Sequence, residues 1–288
     1  MFKQLGLIGC GLMGGSFALA LKRAGMVRSV VGYSKSPSTT ERARKMGVID
    51  IEASSALQAV SGSDVVLLAV PVAATEATLK AIRHLVTRDT LVMDVGSTKR
   101  DVVDAARRSL KEQVGSFVPC HPMAGKESSG VEHADADLYQ GRQVIITPIE
   151  RTLVAQLKKA QQAWEAVGGV VVKMAPDAHD AAIAAVSHLP HLLAFAYMKG
   201  IAGQSSADDF LALAGPGFRD FSRIAASDPT MWRDILLANK TELLAQSRKF
   251  RESLAALEAL VAAGNGEGLA TQIRQARAVR EPWRMGGT

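Results

Sequence analysis

A glycine-rich segment near the N-terminus restricts the possible folds of this chain more than any other feature. Residues 9–14 read GCGLMG, a G-x-G-x-x-G pattern that directly follows a strand-like run over residues 4–8 and opens a helical run over residues 16–24. In such a context the first glycine permits a tight turn, the second lets the backbone approach a pyrophosphate, and the third lets helix and strand pack closely. The pattern therefore predicts a dinucleotide site that includes Gly9, Gly11, Leu12, Met13 and Gly14. A glycine turn without a ligand is the alternative.

The first half of the chain alternates short apolar runs with helical stretches. Further strand-like runs cover residues 29–33, 65–70, 90–95, 117–119, 144–147 and 169–174. This rhythm predicts a doubly wound parallel α/β sheet with helices on both faces. From residue 176 onward the sequence shows only helical patterns, so we predict a Rossmann-type domain over residues 1–174 and an all-α domain over residues 175–288. One of these helices is predicted over residues 229–263, because Asp228 offers a capping carboxylate directly before Pro229. The apolar helices of the second domain indicate a homodimer.

Composition excludes several classes of protein. The chain has only two cysteines, Cys10 and Cys120, which argues against a disulfide framework and for the cytoplasm. The longest apolar run, residues 65–74, is shorter than the ~20 residues that span a bilayer, and no signal peptide is expected before the first strand. The net charge of +6 is scattered, so we expect no nucleic acid partner. An anionic small molecule suits a basic cleft, although a solvated basic surface is the alternative.

The residues after the second predicted strand indicate which dinucleotide binds. An NAD site usually presents an acidic side chain there to the ribose 2′-hydroxyl. This chain instead has Ser34, Lys35 and Ser36, which can bind a 2′-phosphate through hydrogen bonds and charge. We therefore predict NADP, with NAD as a possibility and an ordinary polar turn as the alternative. Val70 and Pro71, at the end of another strand, are assigned to the same cofactor site.

Two segments follow later strands, at the edge where the ligand crevice of a doubly wound sheet lies. Residues 96–99 read GSTK, and part of this signal is structural, since Thr98 is a reasonable helix N-cap. His121 follows the run at residues 117–119 and is expected in a loop. An imidazole there can accept the proton of a hydroxyl whose carbon loses a hydride. A plain surface histidine is the alternative.

The helical half contains a histidine cluster. Ser187, His188 and His191 surround Pro190 within one long helix predicted over residues 178–201, and the proline is expected to bend that helix. Metal binding by the two histidines is not expected, because no third ligand is apparent.

An arginine pair follows further along the chain. Arg219 and Arg223 are four residues apart on a helix predicted over residues 209–226, a spacing at which like charges repel each other. An anion between them would remove this repulsion. That anion is either a ligand or the protein's own Asp220 and Asp228.

Taken together, these motifs closely resemble the prephenate/arogenate dehydrogenase family. The matching stretches are residues 9–14, 96–99, 121–125, 187–191, and 217–225 running into 227–232. The resemblance implies a Rossmann domain and a helical dimerisation domain with the active site between them. It also implies oxidative decarboxylation of prephenate or arogenate in tyrosine biosynthesis, with hydride transfer to NADP and no metal.

The resemblance further implies roles for individual residues. His121 would accept the proton of the ring 4-hydroxyl, and Ser97 would support both His121 and that hydroxyl. Arg223, helped by Arg219, would bind substrate carboxylates, and Ser187 and His191 would line the pocket. His188 is the least defined and has a possible structural role.

Two rival functions remain open from sequence. The first is another two-domain reductase, acting on β-hydroxyacids or imino acids; a catalytic lysine on the long helix would favour the β-hydroxyacid class, but Lys199 lies too near the end of that helix. The second is a non-catalytic module that senses NADPH, in which the arginine pair would have no small-molecule role.

Overall fold

The structure is a computed structural model that describes residues 1–126 and 128–284. The strands are β1 (Phe2–Ile8), β2 (Val27–Tyr33), β3 (Ile51–Glu52), β4 (Val65–Leu68), β5 (Leu91–Asp94), β6 (Phe117–Val118), β7 (Cys120–Pro122), β8 (Gln143–Ile146) and β9 (Val170–Lys173). The helices of the first half are α1 (Leu12–Arg23), α2 (Pro37–Lys45), α3 (Ala56–Val60), α4 (Thr75–Ile82), α5 (Arg100–Leu110) and α6 (Val154–Ala166). Those of the second half are α7 (Pro176–Ile183), α8 (Leu189–Ala202), α9 (Ala207–Ala212), α10 (Pro216–Ser222), α11 (Pro229–Ala238), α12 (Lys240–Ala262) and α13 (Gly266–Arg280).

The main sheet has six parallel strands in the order β3-β2-β1-β4-β5-β6. Its central strands are apolar on both faces because helices cover both sides. On β4, Val65 and Leu67 enter one core cluster, whereas Val66 and Leu68 enter another on the opposite face. The prediction of a Rossmann-type parallel sheet followed by a helical domain is therefore confirmed.

A second, three-stranded sheet was not predicted from the sequence. It has the order β7-β8-β9, with β7 antiparallel to β8 and β8 parallel to β9. Only Pro119 separates β6 from β7, so the chain leaves one sheet and enters the other within a single residue. The expectation that His121 lies in a loop is wrong: it is on β7, opposite Ile145 of β8. A strand holds the backbone of His121 more firmly than a loop would.

The long helix of the second domain forms, with an irregularity in its middle. Residues Ala184–His188 make a π-helical turn between α7 and α8, and Pro190 follows in the first turn of α8. Proline lacks an amide hydrogen, so the regular hydrogen-bond pattern is interrupted just before it. The predicted irregularity at Pro190 is thus a π-turn on its N-terminal side.

Two longer helices predicted in the second domain are each divided in the structure. The helix predicted over residues 209–226 is broken before α10, where Gly215 precedes Pro216 at the first helical position. The stretch predicted to be helical over residues 229–263 is interrupted at Asn239, between α11 and α12. The predicted start at Asp228 is confirmed, since its carboxylate accepts a hydrogen bond from the amide of Met231.

The helical domain leaves much apolar surface uncovered. Among the described residues, α12 buries only Leu243 and α13 buries none. The helical run Pro176–Ala202 is even long and apolar enough to cross a bilayer, with a mean hydropathy of 1.4 and 28% of the window buried. The sequence-based exclusion considered only continuous apolar runs and missed this one. However, His179, Asp180 and His188 of this run are buried against the rest of the protein, where they have polar partners, rather than facing lipid.

Candidate active site

The glycine-rich loop is shaped for close approach by a ligand. Gly9 has a φ of +99°, and a Cβ there would lie 2.1 Å from the carbonyl oxygen of Ala69. A Cβ at Gly14 would lie 2.1 Å from the carbonyl oxygen of Gly9. By contrast, a Cβ at Gly11 would have no described atom within 4 Å, so the space above this residue is open. These three environments fit the roles that a dinucleotide-binding turn requires of its glycines.

The predicted 2′-phosphate residues lie next to this loop. The hydroxyl of Ser34 accepts a hydrogen bond from the amide of Cys10 at 2.9 Å, which joins the end of β2 to the glycine turn. Lys35 and Ser36 are exposed, and Ser36 is the N-cap of α2. Val70 and Pro71, the first half-buried and the second exposed, follow β4 at the same edge of the sheet. The structure thus brings the candidate cofactor residues to one edge, at the carboxyl ends of the neighbouring strands β1 and β4, where the strand order of the sheet reverses.

His121 lies at the same edge, beside the end of β5. It is only 8% exposed, and its Nδ1 lies 2.8 Å from Nε2 of His179 on α7. Burial, together with the nearby His179, Lys99 and His188, lowers the pKa of His121 well below its usual value of 6.5. The imidazole is therefore neutral at neutral pH, which is the state a general base requires.

His179 is itself bound to a buried carboxylate. Its Nδ1 lies 2.8 Å from Oδ1 of Asp180, which accepts the amide of Lys99 at 2.8 Å, while Oδ2 accepts the amide of Arg100 at 2.9 Å. Burial alone would raise the pKa of Asp180, but the hydrogen bonds from His179 and the two amides outweigh it and lower that pKa. Asp180 of the second domain therefore caps α5 of the first. The expected N-cap at Thr98 is wrong, because the N-cap position falls at Lys99 and no side chain of the segment caps the helix.

A buried ion pair fixes the backbone next to His121. Nζ of Lys99, which is 0% exposed, donates to Oδ2 of Asp94 at 2.5 Å and to the carbonyl of Cys120 at 2.8 Å. Oδ1 of Asp94 accepts the amide of Cys120 at 2.9 Å. Both polar groups of the Cys120 backbone are thus held by the end of β5 and the start of α5, and this places the following residue.

Ser97 is half-buried in the turn between β5 and α5. The imidazole Nδ1 of His121 is engaged by His179, so any support from Ser97 has to reach the other ring nitrogen or the substrate. Its role stays a prediction.

The histidine cluster of the long helix divides into two environments. His188 is fully buried, and its Nδ1 lies 3.1 Å from the side-chain amide of Asn239, which also donates to the backbone carbonyl of Asp180. His191 is half-buried and stacks on Trp232, with ring centroids 3.5 Å apart. His188 is thus part of the packing between α7, α8 and α12. Within the described part of the chain, no group of three or more His, Cys, Asp or Glu side chains is arranged to bind a metal ion.

The pocket candidates on the helical side lie around His191. Its Nδ1 is 2.9 Å from the backbone carbonyl of Ser187, and a carbonyl can only accept, so Nδ1 carries the proton in the neutral ring. Burial lowers the pKa of His191, the bond to Ser187 raises it, and the positive charge of Arg223 lowers it further. Nε2 of the neutral His191 ring is therefore left as a hydrogen-bond acceptor.

Arg219 lies on α10 and Arg223 directly follows that helix, and both side chains are exposed. Arg219 is exposed and its Nε pairs with Oδ1 of Asp220 at 3.2 Å, the internal partner that was the alternative to a ligand. An exposed pair of this kind contributes at most about 1 kcal/mol, so a stronger anion can displace it. Asp228 instead caps α11. The ligand role of both arginines stays a prediction.

Sequence reasoning gave no role to several residues that hold this site together, although two of them, Lys99 and Trp232, lie in the matching stretches: Asp94, Lys99, His179, Asp180, Trp232 and Asn239. The adjacent His179 and Asp180 near the start of an apolar helix were the available signal, because buried ionisable side chains need partners. Nothing in the spacing shows that the partner of Asp180 is the N-terminus of α5, 80 residues earlier.

The burial of His188 makes stability depend on pH. Burial lowers the pKa of His188 to about 4, so between pH 6.5 and pH 4 the unfolded chain binds a proton that the folded chain does not. Stability should fall as the pH is lowered through this window, and His188 alone should account for about 2 kcal/mol between pH 7 and pH 5. Urea unfolding at both pH values measures the loss.

The matched control for this prediction is His188→Asn. Its side-chain oxygen can still accept from Asn239, but it does not titrate. We expect the variant to lose less stability than the wild type between the two pH values. Equal losses in the two proteins would show that His188 does not titrate in this way.

The chain matches two family models, which cover almost its whole length. One, described as the nucleotide-binding domain of prephenate dehydrogenase, matches residues 17–173, and the other, described as the dimerization domain of prephenate dehydrogenase, matches residues 175–275. A cyclohexadienyl dehydrogenase of Zymomonas mobilis is 32% identical over 282 residues, which span 97% of this chain and 96% of the relative.

Solved structures agree with these matches. A crystal structure of prephenate dehydrogenase from Aquifex aeolicus, in complex with hydroxyphenyl propionate and NAD⁺, superposes with a TM-score of 0.92 at 37% identity and covers 98% of each chain. The arogenate dehydrogenase of Synechocystis superposes with a TM-score of 0.83 at 27% identity, covering 98% of this chain and 100% of the other.

Proposed function

This chain belongs to the prephenate/arogenate dehydrogenase family, and on that premise we propose that it oxidises and decarboxylates prephenate, arogenate or both with NADP. Oxidative decarboxylation of this kind, by an NAD(P)-dependent enzyme, belongs to tyrosine biosynthesis. Because the chain belongs to this family, we no longer consider the two rival functions, a non-catalytic NADPH sensor and a β-hydroxyacid or imino-acid reductase. The choice of substrate and the choice of NADP over NAD are our proposals.

The observation that carries the chemical proposal is the position of His121. It is a buried, neutral imidazole at the carboxyl edge of the sheet, next to the end of β5 and held from behind by His179. Such a group is suited to take the proton of a ring hydroxyl as the carbon that bears it is oxidised. Decarboxylation then follows from the substrate's own electronic demand, because loss of the carboxylate makes the ring aromatic.

In this proposal the other side chains bind and orient the substrate and the dinucleotide. Arg223, with help from Arg219, binds substrate carboxylates, and its influence on the pKa of His191 supports a shared pocket. Ser187 and His191 line that pocket from the helical side, and Ser97 supports the hydroxyl that His121 deprotonates. Residues 9–14 and the turn at Ser34 hold the dinucleotide, which supplies the hydride acceptor when bound.

The test of this function is a four-way assay at 340 nm that crosses NAD and NADP with prephenate and arogenate. We expect NADP reduction with at least one of the two acids. No reduction in any of the four combinations would contradict the proposed reaction, and reduction of NAD alone would contradict the choice of cofactor.

Ser34 offers a sharper test of the cofactor. In Ser34→Asp the carboxylate can still accept from the amide of Cys10, as the hydroxyl does now, but it would repel a 2′-phosphate. We expect the ratio of kcat/KM for NADP to that for NAD to fall by about 10- to 100-fold.

The matched control for this change is Ser34→Asn, which has the shape of aspartate without its charge. It should move the NADP to NAD ratio much less than Ser34→Asp does. If the two variants behave alike, or if neither changes the preference, then Ser34 does not face a 2′-phosphate.

We also propose a homodimer built on the second domain. The match to a dimerization domain supports it, as do the exposed apolar side chains of α12 and α13, which include Leu244, Leu254, Val261, Ile273 and Val279. A solution mass near twice the chain's 30.5 kDa, measured by light scattering, is the expected result, and a monomer at micromolar concentration would refute it.

The domain boundary and the compartment remain proposals as well. We divide the chain into residues 1–174 and 175–288, between the end of β9 at Lys173 and the start of α7 at Pro176; residues 285–288 lie outside the described part. Two free, buried cysteines, Cys10 and Cys120, are in keeping with a cytoplasmic enzyme. Limited proteolysis that cuts first near residue 175 would support the boundary, and a first cut inside either domain would count against it.

A further inference from the structure

We propose that His179 and Asp180 are positioning residues that fix which ring nitrogen of His121 carries the proton, so that Nε2 is the free base. This inference rests on the proposed role of His121. It starts from an unbroken line of hydrogen bonds that joins the two domains, from the amides at the start of α5, through Asp180 and His179, to His121.

The carboxylate of Asp180 determines which atom donates in each hydrogen bond between Asp180, His179 and His121. An ionised carboxylate can only accept, and Asp180 already accepts two backbone amides at the positive end of α5. The Nδ1 of His179, 2.8 Å from Oδ1 of Asp180, must therefore be the donor. In a neutral ring this leaves Nε2 of His179 without a hydrogen, as an acceptor.

The second imidazole follows from the first. Nε2 of His179 lies 2.8 Å from Nδ1 of His121, and since the former accepts, the latter must donate. His121 then has its proton on Nδ1 and a lone pair on Nε2. The opposite tautomer would place two lone pairs face to face at the His121–His179 contact, and it would leave His121 unable to act as a base.

Burial and the neighbouring positive charges favour the neutral form of His121. The buried ammonium of Lys99 and the imidazole of His188 face this pair from the first and second domains, and Asp180 is the anion that faces it. When Nε2 of His121 takes the substrate proton, the positive charge that develops is stabilised through His179 by Asp180. The arrangement resembles the aspartate that orients histidine in a Ser-His-Asp triad, with one more imidazole inserted.

The line also couples catalysis to the relation between the domains. Asp180 reaches the amides of Lys99 and Arg100 only where α7 rests on the start of α5. His121 therefore has its orienting partner only in this arrangement of the two domains.

The direct test is nitrogen-15 NMR of the imidazoles in the whole enzyme, labelled at histidine. Signals are assigned by their loss in His121→Asn and in His179→Gln. We expect Nδ1 protonated and Nε2 unprotonated for both His121 and His179 at neutral pH. A protonated Nε2 on neutral His121 would overturn the proposal. This readout needs no substrate, so it decides the matter even if the four-way assay contradicts the proposed reaction.

Two variants of His179 give the kinetic test. His179→Leu removes the acceptor, whereas the side-chain oxygen of His179→Gln can still accept from Nδ1 of His121. We expect kcat to fall about 10- to 100-fold in the leucine variant, with KM changed by no more than about twofold, because an undirected base loses much of its contribution. The glutamine variant should recover most of the loss.

Equal losses in the two His179 variants, or wild-type kcat in the leucine variant, would overturn the positioning role. Unfolding midpoints of both are measured alongside. If the leucine variant does not fold, the NMR spectrum of the wild type and the kcat of the glutamine variant decide the question, since a glutamine variant with less than a tenth of wild-type kcat would also count against the proposal.

Discussion

Replacing His121 with asparagine should lower kcat by about 10²- to 10⁴-fold and leave KM within a few-fold of wild type. Asparagine can occupy the position of Nδ1 and keep a hydrogen bond to His179, but it has no basic nitrogen where Nε2 of His121 now lies. The variant therefore removes the proton acceptor and little of the binding surface. Initial rates with NADP and the preferred cyclohexadienyl acid measure both constants.

The matched control is His84→Asn, which makes the same change at an exposed histidine that follows α4. Its kcat should equal that of the wild type. Wild-type kcat in His121→Asn would remove His121 from its proposed role. If His121→Asn loses kcat and also has a lowered unfolding midpoint, the dissociation constant of the substrate is measured as well. That constant should be nearly unchanged if only the base is missing.

The pH profile of the wild type provides a further check on the same residue. Burial lowers the pKa of His121, so the base stays neutral as the pH falls through 6.5 and is lost only below that. The acidic limb of kcat/KM should therefore lie lower than for an ordinary histidine. Because His121 and His179 share a hydrogen bond, the apparent pKa read from this limb belongs to the pair of imidazoles and not to His121 alone.

The parts of the fold that depend on local sequence were predictable. β1, the glycine turn and α1 follow from residues 4–24 alone, because the turn must place its glycines between a buried strand and a helix start. The cap at Asp228 followed equally from a carboxylate before Pro229. In these places neighbours along the chain make the contacts that decide the structure.

The parts that depend on distant contacts were not predictable. The pattern of β7 is only three residues long, and its pairing with β8 joins segments more than 20 residues apart, so His121 was expected in a loop. Likewise, Thr98 satisfied the local pattern for an N-cap, but the carboxylate that binds the start of α5 comes from Asp180. Local propensity cannot reveal a cap that another domain supplies.

In the site, too, the proposed reactive residue could be predicted from the sequence, whereas the residues that surround it could not. His121, the proposed base, could be nominated from the sequence, since an imidazole beside a nucleotide turn has a ready chemical use. The residues in contact with His121 and with the Cys120 backbone are ordinary in sequence, and they come together only where α7, β5 and α5 meet. Lys99 is the clearest case, because a lysine in a polar turn is usually exposed and this one is fully buried.

Replacing Lys99 with methionine should destabilise the protein by about 3–5 kcal/mol, the usual cost of removing one partner from a buried ion pair. The carboxylate of Asp94 would lose its counter-charge in a region where both side chains are almost completely buried. It would keep the amides of Cys120 and Gly96, which is not enough to replace the ammonium. Urea unfolding at a fixed protein concentration measures the change.

Two further variants distinguish the effect of breaking the buried ion pair on stability from the effect of simply removing a lysine. Lys45→Met breaks the exposed pair with Glu41 and should change stability by no more than about 1 kcal/mol. The double variant Lys99→Met/Asp94→Asn carries no buried charge at this place and should recover part of the loss, since most of the cost of the single variant is the unpaired carboxylate. If Lys99→Met were as stable as Lys45→Met, the pair would not hold Cys120 in place, and the position of His121 would have to be set by β8 and His179 alone.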